Sequence, residues 1–120
     1  MVRTGPTNPR MMKLISELTN LSLKEGVNLW KRLALDLGKP SRNRRIVNLS
    51  KLSIYTKEND LVVVPGKVLG DGTLNHKITV AAYQFSEQAK NKMQTLNSTC
   101  ISIEELMEKN PKGKKVKIIG

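Results

Sequence analysis

Three scarcities shape this chain. It has one cysteine, Cys100, and one histidine, His76, so no internal disulfide is available and no Cys/His spacing fits a zinc site. Its aromatics are Trp30, Tyr55, Tyr83 and Phe85. Four rings are too few for a sheet that stacks several single-stranded bases. Acids are scarce too, with 10 Asp and Glu against 21 Lys and Arg, giving a net charge of +11 on 120 residues. That excess points to a polyanionic partner. No run approaches the roughly 20 apolar residues of a membrane span, and Met1 to Pro6 contains no apolar signal core. The expectation is a soluble cytoplasmic protein with no membrane partner.

At this length one domain is expected, over 1–120, with an extended basic arm at 1–8 and a Lys-rich segment at 109–120. Asn8 as N-cap and Pro9 at the first helical position open a helix, followed by Met11, Leu14, Ile15, Leu18 and Leu21 at helical spacing. Ser22-Leu23-Lys24-Glu25 reads as a capping box that starts a second helix. Its stripe is Val27, Trp30, Ala34 and Leu37, and Gly38 with Pro40 closes it. The two helices are expected to pack as a hairpin.

Short strands are expected at 46–49, at 61–64 with a resumption at 67–69 after Pro65-Gly66, at 78–83, at 99–101 and at 116–119. Residues 50–56 read as a turn or a single helical turn, and Gly70-Asp71-Gly72 as a tight turn. Ser86 caps a helix that ends at Asn97, and Ser102 with Glu105 forms a capping box for a helix ending at Lys109. The fold class is therefore mixed α/β: an N-terminal helical pair, then short strands alternating with short helices.

No catalytic constellation emerges. Gly66 to Gly72 lacks the spacing of a phosphate loop and reads as a structural turn. His76 reads as a solvated loop histidine without a second acid-base group beside it in sequence. Cys100 sits in a predicted strand between apolar neighbours and reads as a small hydrophobe. Glu104 and Glu105 occupy the first turn of a helix, where the macrodipole accounts for them. No metal, cofactor or small-molecule substrate is implied.

The basic clusters carry more. Lys39, Arg42, Arg44 and Arg45 fall within seven positions that hold no acid, and Lys109, Lys112, Lys114, Lys115 and Lys117 repeat the pattern. Arginine forks suit phosphate oxygens bidentately. The candidate RNA contacts are Arg3, Arg10, Lys39, Arg42, Arg44, Arg45, Lys67, Lys112, Lys114, Lys115 and Lys117. The polar faces of the first two helices are mixed in charge, which argues against base reading in a DNA groove and for shape-matching of a folded RNA.

Four segments carry a family resemblance: Thr7-Asn8-Pro9, Ile46-Val47-Asn48-Leu49 after the Arg-rich loop, Val64-Pro65-Gly66-Lys67-Val68-Leu69-Gly70-Asp71-Gly72, and Thr79-Val80-Ala81-Ala82 leading to Phe85-Ser86-Glu87-Gln88-Ala89. In this order, over essentially the whole chain, they resemble the archaeal and eukaryotic eighteen-e family of large-subunit ribosomal proteins. The turn and Phe-Ser segments are also similar to the bacterial large-subunit protein fifteen. The resemblance implies a non-enzymatic constituent of the large ribosomal subunit, an irregular β-β-α winding, and large-subunit ribosomal RNA and neighbouring ribosomal proteins as partners. The short N-terminal arm matches an archaeal-type member. Three other classes compete on the residues alone: an assembly factor, a DNA-compacting basic protein, and a small RNA-modifying enzyme.

Overall fold

The computed structural model describes residues 9–38 and 45–119, Arg45 by its backbone alone. The chain opens with α1, Pro9–Glu25, and α2, Asn28–Leu37. Met11, Leu14 and Leu18 of α1 and Trp30, Leu33, Ala34 and Leu37 of α2 are buried at helical spacing, and the two helices pack on each other as expected.

Their junction lies later than the capping-box reading placed it. Helix α1 runs through Ser22 to Glu25, and Gly26 ends it at φ +69°, its N–H donating to Ser22 O at 2.9 Å. A cap is useful only where the next N–H groups lack partners. Inside a continuing helix they are already bonded, so the chain runs on to a glycine able to turn left-handed. Helix α2 then starts after Val27, which offers no side-chain cap.

The rest follows as β1, Arg45–Asn48; α3, Leu49–Tyr55; β2, Leu61–Leu69; β3, Thr79–Phe85; α4, Glu87–Thr95; β4, Thr99–Ser102; α5, Ile103–Lys109; and β5, Val116–Ile118. The turn or single helical turn expected over 50–56 is thus a short helix of 7 residues. Its register is set by Leu49 and Leu52, both buried. The two later caps form as read: Ser86 Oγ accepts from Ala89 N–H and Ser102 Oγ from Glu105 N–H, each at 3.1 Å. Ile101 and Leu106, flanking the second cap, are buried in one apolar cluster.

All the strands pair in parallel. The order is β1-β2-β3-β4, and β5 also pairs with β2. Strands β1 and β5 share one edge of β2: β5 lies along Leu61 to Val63, and β1 along Gly66 to Leu69. The Asp71-Gly72 turn therefore leads to no antiparallel hairpin. The loop after β2 carries the chain back to the start of β3, burying Leu74 and Ile78 on the way.

Parallel strands covered on both faces read as unbroken apolar runs, as Leu61 to Val64 and Val80 to Tyr83 do. Val63, Ala81, Tyr83 and Ile101 face α1, α2 and α5, while Val62, Val64, Val80 and Ala82 face α3 and α4. Pro65-Gly66 does not break the strand. Val64 pairs with Ala82 and Lys67 with Gln84, so β2 carries one extra residue in a bulge.

Candidate nucleic-acid interface

The predicted contact residues separate into distinct environments. Arg3, Lys39, Arg42 and Arg44 lie outside the described residues, as do the rest of the arm 1–8 and the side chain of Arg45. The backbone of Arg45 opens β1 and pairs with Gly66 of β2.

Arg10 is held within the protein. Its Nε and Nη2 bond the two carboxylate oxygens of Glu104 at 3.2 and 3.3 Å, and Nη1 donates to Tyr83 O at 3.1 Å. The guanidinium carbon also sits 4.3 Å from the Tyr83 ring centroid. The fork expected to meet phosphate ties the start of α1 to β3 and α5, with 44% of the side chain still exposed.

Lys67 is exposed and lines an open cleft of about 470 Å³ with Arg10, Gln84, Lys90 and Ser102 among its walls. The C-terminal lysines gather at the opposite end of β2. Lys112 meets Glu25 at 3.3 Å, Lys117 meets Asp60 at 2.9 Å, and Lys114 and Lys115 are exposed without a side-chain partner among the described residues.

This Lys-rich segment is well anchored. Trp30, fully buried, donates Nε1–H to Pro111 O at 2.7 Å, Asn110 bonds both Lys114 N–H and Lys114 O, and a Cβ on Gly113 would meet Leu29 Cδ2 at 2.9 Å. Asp60 ties it in further, because Oδ2 accepts both the Lys117 ammonium and the Lys57 N–H, at 2.9 and 2.7 Å. Those two bonds, the lysine's first, hold the Asp60 carboxyl below its ordinary range.

The glycine turn has the wrong polarity for an anion. Lys92 Nζ donates to Gly70 O and Gly72 O at 2.7 and 3.1 Å, and Ser50 N–H to Asp71 O at 3.2 Å. A phosphate loop presents N–H groups, whereas this one turns three carbonyls inward to donors.

His76 departs from the solvated-loop reading, for it is half-buried with Nε2 at 2.6 Å from Thr56 Oγ1. Thr56 is buried and donates its single hydroxyl proton to Leu52 O at 2.6 Å, so the histidine Nε2–H is the donor of this pair. Cys100 is half-buried with Sγ 3.4 Å from Met93 Sδ, and desolvation raises its thiol above the ordinary range. Among the described residues, no three His, Cys, Asp or Glu side chains converge as metal ligands, and no helix is long and apolar enough to cross a membrane.

The sheet edge at β1 and α3 is where the sequence reading stopped short. From Leu37 to Lys57 the chain carries six basic residues and no acid, extending the Arg-rich loop through β1 and α3 to Lys51 and Lys57. The same stretch exposes Ile46, Ile54 and Tyr55 at 64, 75 and 62%. Around the described part of this stretch the nearest acid is Asp60, which is taken up by Lys117 and the Lys57 N–H, so Lys51 and the exposed apolar side chains of α3 share a surface of net positive charge. The sequence signal was the absence of acid continuing beyond Arg45.

The comparisons with known proteins agree with this frame. A family model described as "Ribosomal protein 60S L18 and 50S L18e" matches residues 7–120. The chain belongs to this family. It is 46% identical to the large ribosomal subunit protein eL18 of Methanococcus maripaludis, over 95% of both chains. It is 42% identical to that of Methanothermobacter thermautotrophicus, over 94% of this chain and 93% of the relative. Against that of Archaeoglobus fulgidus the identity is 43%, over 94 and 97%. All three relatives are archaeal. The L18 and L18e family comprises ribosomal proteins, and its members are not enzymes.

Proposed function

We propose that this chain is a structural constituent of the large ribosomal subunit in the cytoplasm, and that it binds large-subunit ribosomal RNA and draws separate RNA segments together. The relatives' names carry the first half of this reading. The second rests on one observation above all: the run of sequence from Leu37 to Lys57, which holds six cations and no acid and takes in β1 and α3.

Bridging is supported by the spacing of the cations. Lys117 lies opposite Val62, five residues before Lys67 on the same strand, so these positions stand roughly 16 Å apart at about 3.3 Å per residue. One phosphate cannot serve both. Lys67, Lys114 and Lys115 are without a side-chain ion pair among the described residues, whereas Arg10 and Lys117 are each bonded to a carboxylate, so the first three are the readiest cations for RNA. Phosphate contacts position a protein without reading sequence, so specificity would come from the shape of the folded RNA. Neighbouring ribosomal proteins would share the remaining surface.

The test is the binding of large-subunit RNA over a salt series, with Arg42, Arg44 and Arg45 changed together to Ala. Removing one cation–phosphate pair lowers the slope of log K against log salt by roughly 0.7–0.9. The variant is expected to bind more weakly, with a slope shallower by about two to three, and to melt with the unmodified protein. Unchanged affinity and slope would contradict the assignment.

A further inference from the structure

The acid-free stretch of sequence contains one aromatic ring held at the surface. Of the four aromatics, Trp30 and Tyr83 are 0 and 9% exposed and Phe85 packs against the core, whereas Tyr55 is 62% exposed. Tyr55 ends α3, whose opposite side is anchored by buried Leu49 and Leu52. Thr56, the next residue, is buried and fixed by its bonds to Leu52 O and His76. The ring is thus an exposed side chain on a well-anchored backbone.

It lines a groove of about 540 Å³ with Lys51, Lys117, Ile118 and Ile119. Lys51 stands one helical turn before Tyr55, on the same side of α3, and makes no ion pair or hydrogen bond among the described residues. Lys117 is oriented by Asp60. The site therefore combines an aromatic face, an apolar floor from the end of β5, one free cation and one braced cation. Tyr55 and its neighbour Ile54 are together open to a partner.

We infer that Tyr55 stacks against one unpaired base of ribosomal RNA, with Lys51 on an adjoining phosphate. This rests on the RNA-binding reading above and deepens it, because it adds a base contact to a surface otherwise argued from phosphates. A single ring takes a single base, and it accepts any base because every base has a π-face. The occupant is argued from charge: the groove is lined by two lysines, Asp60 is already taken up by Lys117, and an apolar protein partner would leave Lys51 buried and unpaired.

The experiment measures binding of the full chain to large-subunit RNA over a salt series for Tyr55→Ala, Tyr55→Leu, Tyr55→Phe and Lys51→Ala. Stacking predicts that Tyr55→Ala and Tyr55→Leu bind roughly 5- to 150-fold more weakly with the salt slope unchanged, while Tyr55→Phe binds as the unmodified protein does. Lys51→Ala should instead lower the slope by roughly 0.7–0.9. Full affinity in Tyr55→Ala, or in Tyr55→Leu alongside Tyr55→Phe, overturns the stack and leaves the RNA-binding reading standing. Normal binding of Tyr55→Ala to naked RNA with failed incorporation into subunits also overturns it, since a protein would then cover the groove. If the unmodified chain shows no preference for this RNA over a simple polyanion, both readings fall.

Discussion

Arg10 holds Tyr83 twice, through a 3.1 Å hydrogen bond to its carbonyl and with the guanidinium carbon 4.3 Å from its ring centroid, and the same side chain forks onto Glu104. A cation that looks available to RNA in the sequence is thereby a pin between α1, β3 and α5. Arg10→Ala should cost about 1–2 kcal/mol in urea unfolding, since the ion pair is partly exposed and the bond to the buried strand carries more. Its RNA salt slope should match that of the unmodified protein, in contrast to the Arg42, Arg44 and Arg45 variant.

Gly72 sits at φ +85°, and a Cβ there would lie 2.5 Å from Ser50 Cβ. Gly72→Ala meets both a disfavoured backbone conformation and a clash with α3. It should lower stability by about 2 kcal/mol or more, measured as a fall in Tm. Lys92→Met removes the donor that neutralises the Gly70 and Gly72 carbonyls, and amide exchange in residues 70–78 should rise while that of β3 holds.

The Asp60 carboxyl titrates below its ordinary value of 3.8, with the Lys117 hydrogen bond the largest cause and the Lys57 N–H the second. A depressed carboxyl contributes stability above its unfolded value, and that contribution is lost as pH falls through the folded one. The unmodified protein should therefore lose a stabilising contribution in the acid limb below about pH 4. Asp60→Asn should flatten that limb while lowering stability at neutral pH. Acid unfolding curves for the two proteins decide it.

His76 donates through Nε2 because the Thr56 hydroxyl is committed to Leu52 O. Nitrogen chemical shifts of the neutral ring should report the Nε2–H tautomer. Thr56→Val keeps the shape but leaves the imidazole N–H without its partner, and should cost about 1–3 kcal/mol.

Local patterns announced most of the fold. The Ser86 and Ser102 caps, the α1 and α2 stripes and the apolar strand runs each depend on neighbours within a few residues, so they can be read in order along the chain. Ser22 misled because its capping box is chemically sound but redundant within a helix that simply continues to Gly26. Parallel pairing of β2 with β3 could not be read at all, because Asp71-Gly72 looks the same whether it reverses a hairpin or begins a return loop. On the interface, composition identified the cations but not their state. Whether Arg10 is free depends on Glu104, 94 positions away, and whether Tyr55 is exposed depends on how α3 lies against β5.

Above all, the chain is expected to work as a lasting part of the large subunit. Sedimentation of tagged protein from its native lysate through sucrose gradients, at low and high salt, decides this. The expected result is stoichiometric co-migration with large subunits and with translating ribosomes that survives moderate salt. Migration with precursor particles alone would make the chain an assembly factor, and a free or DNA-bound pool would contradict subunit membership outright.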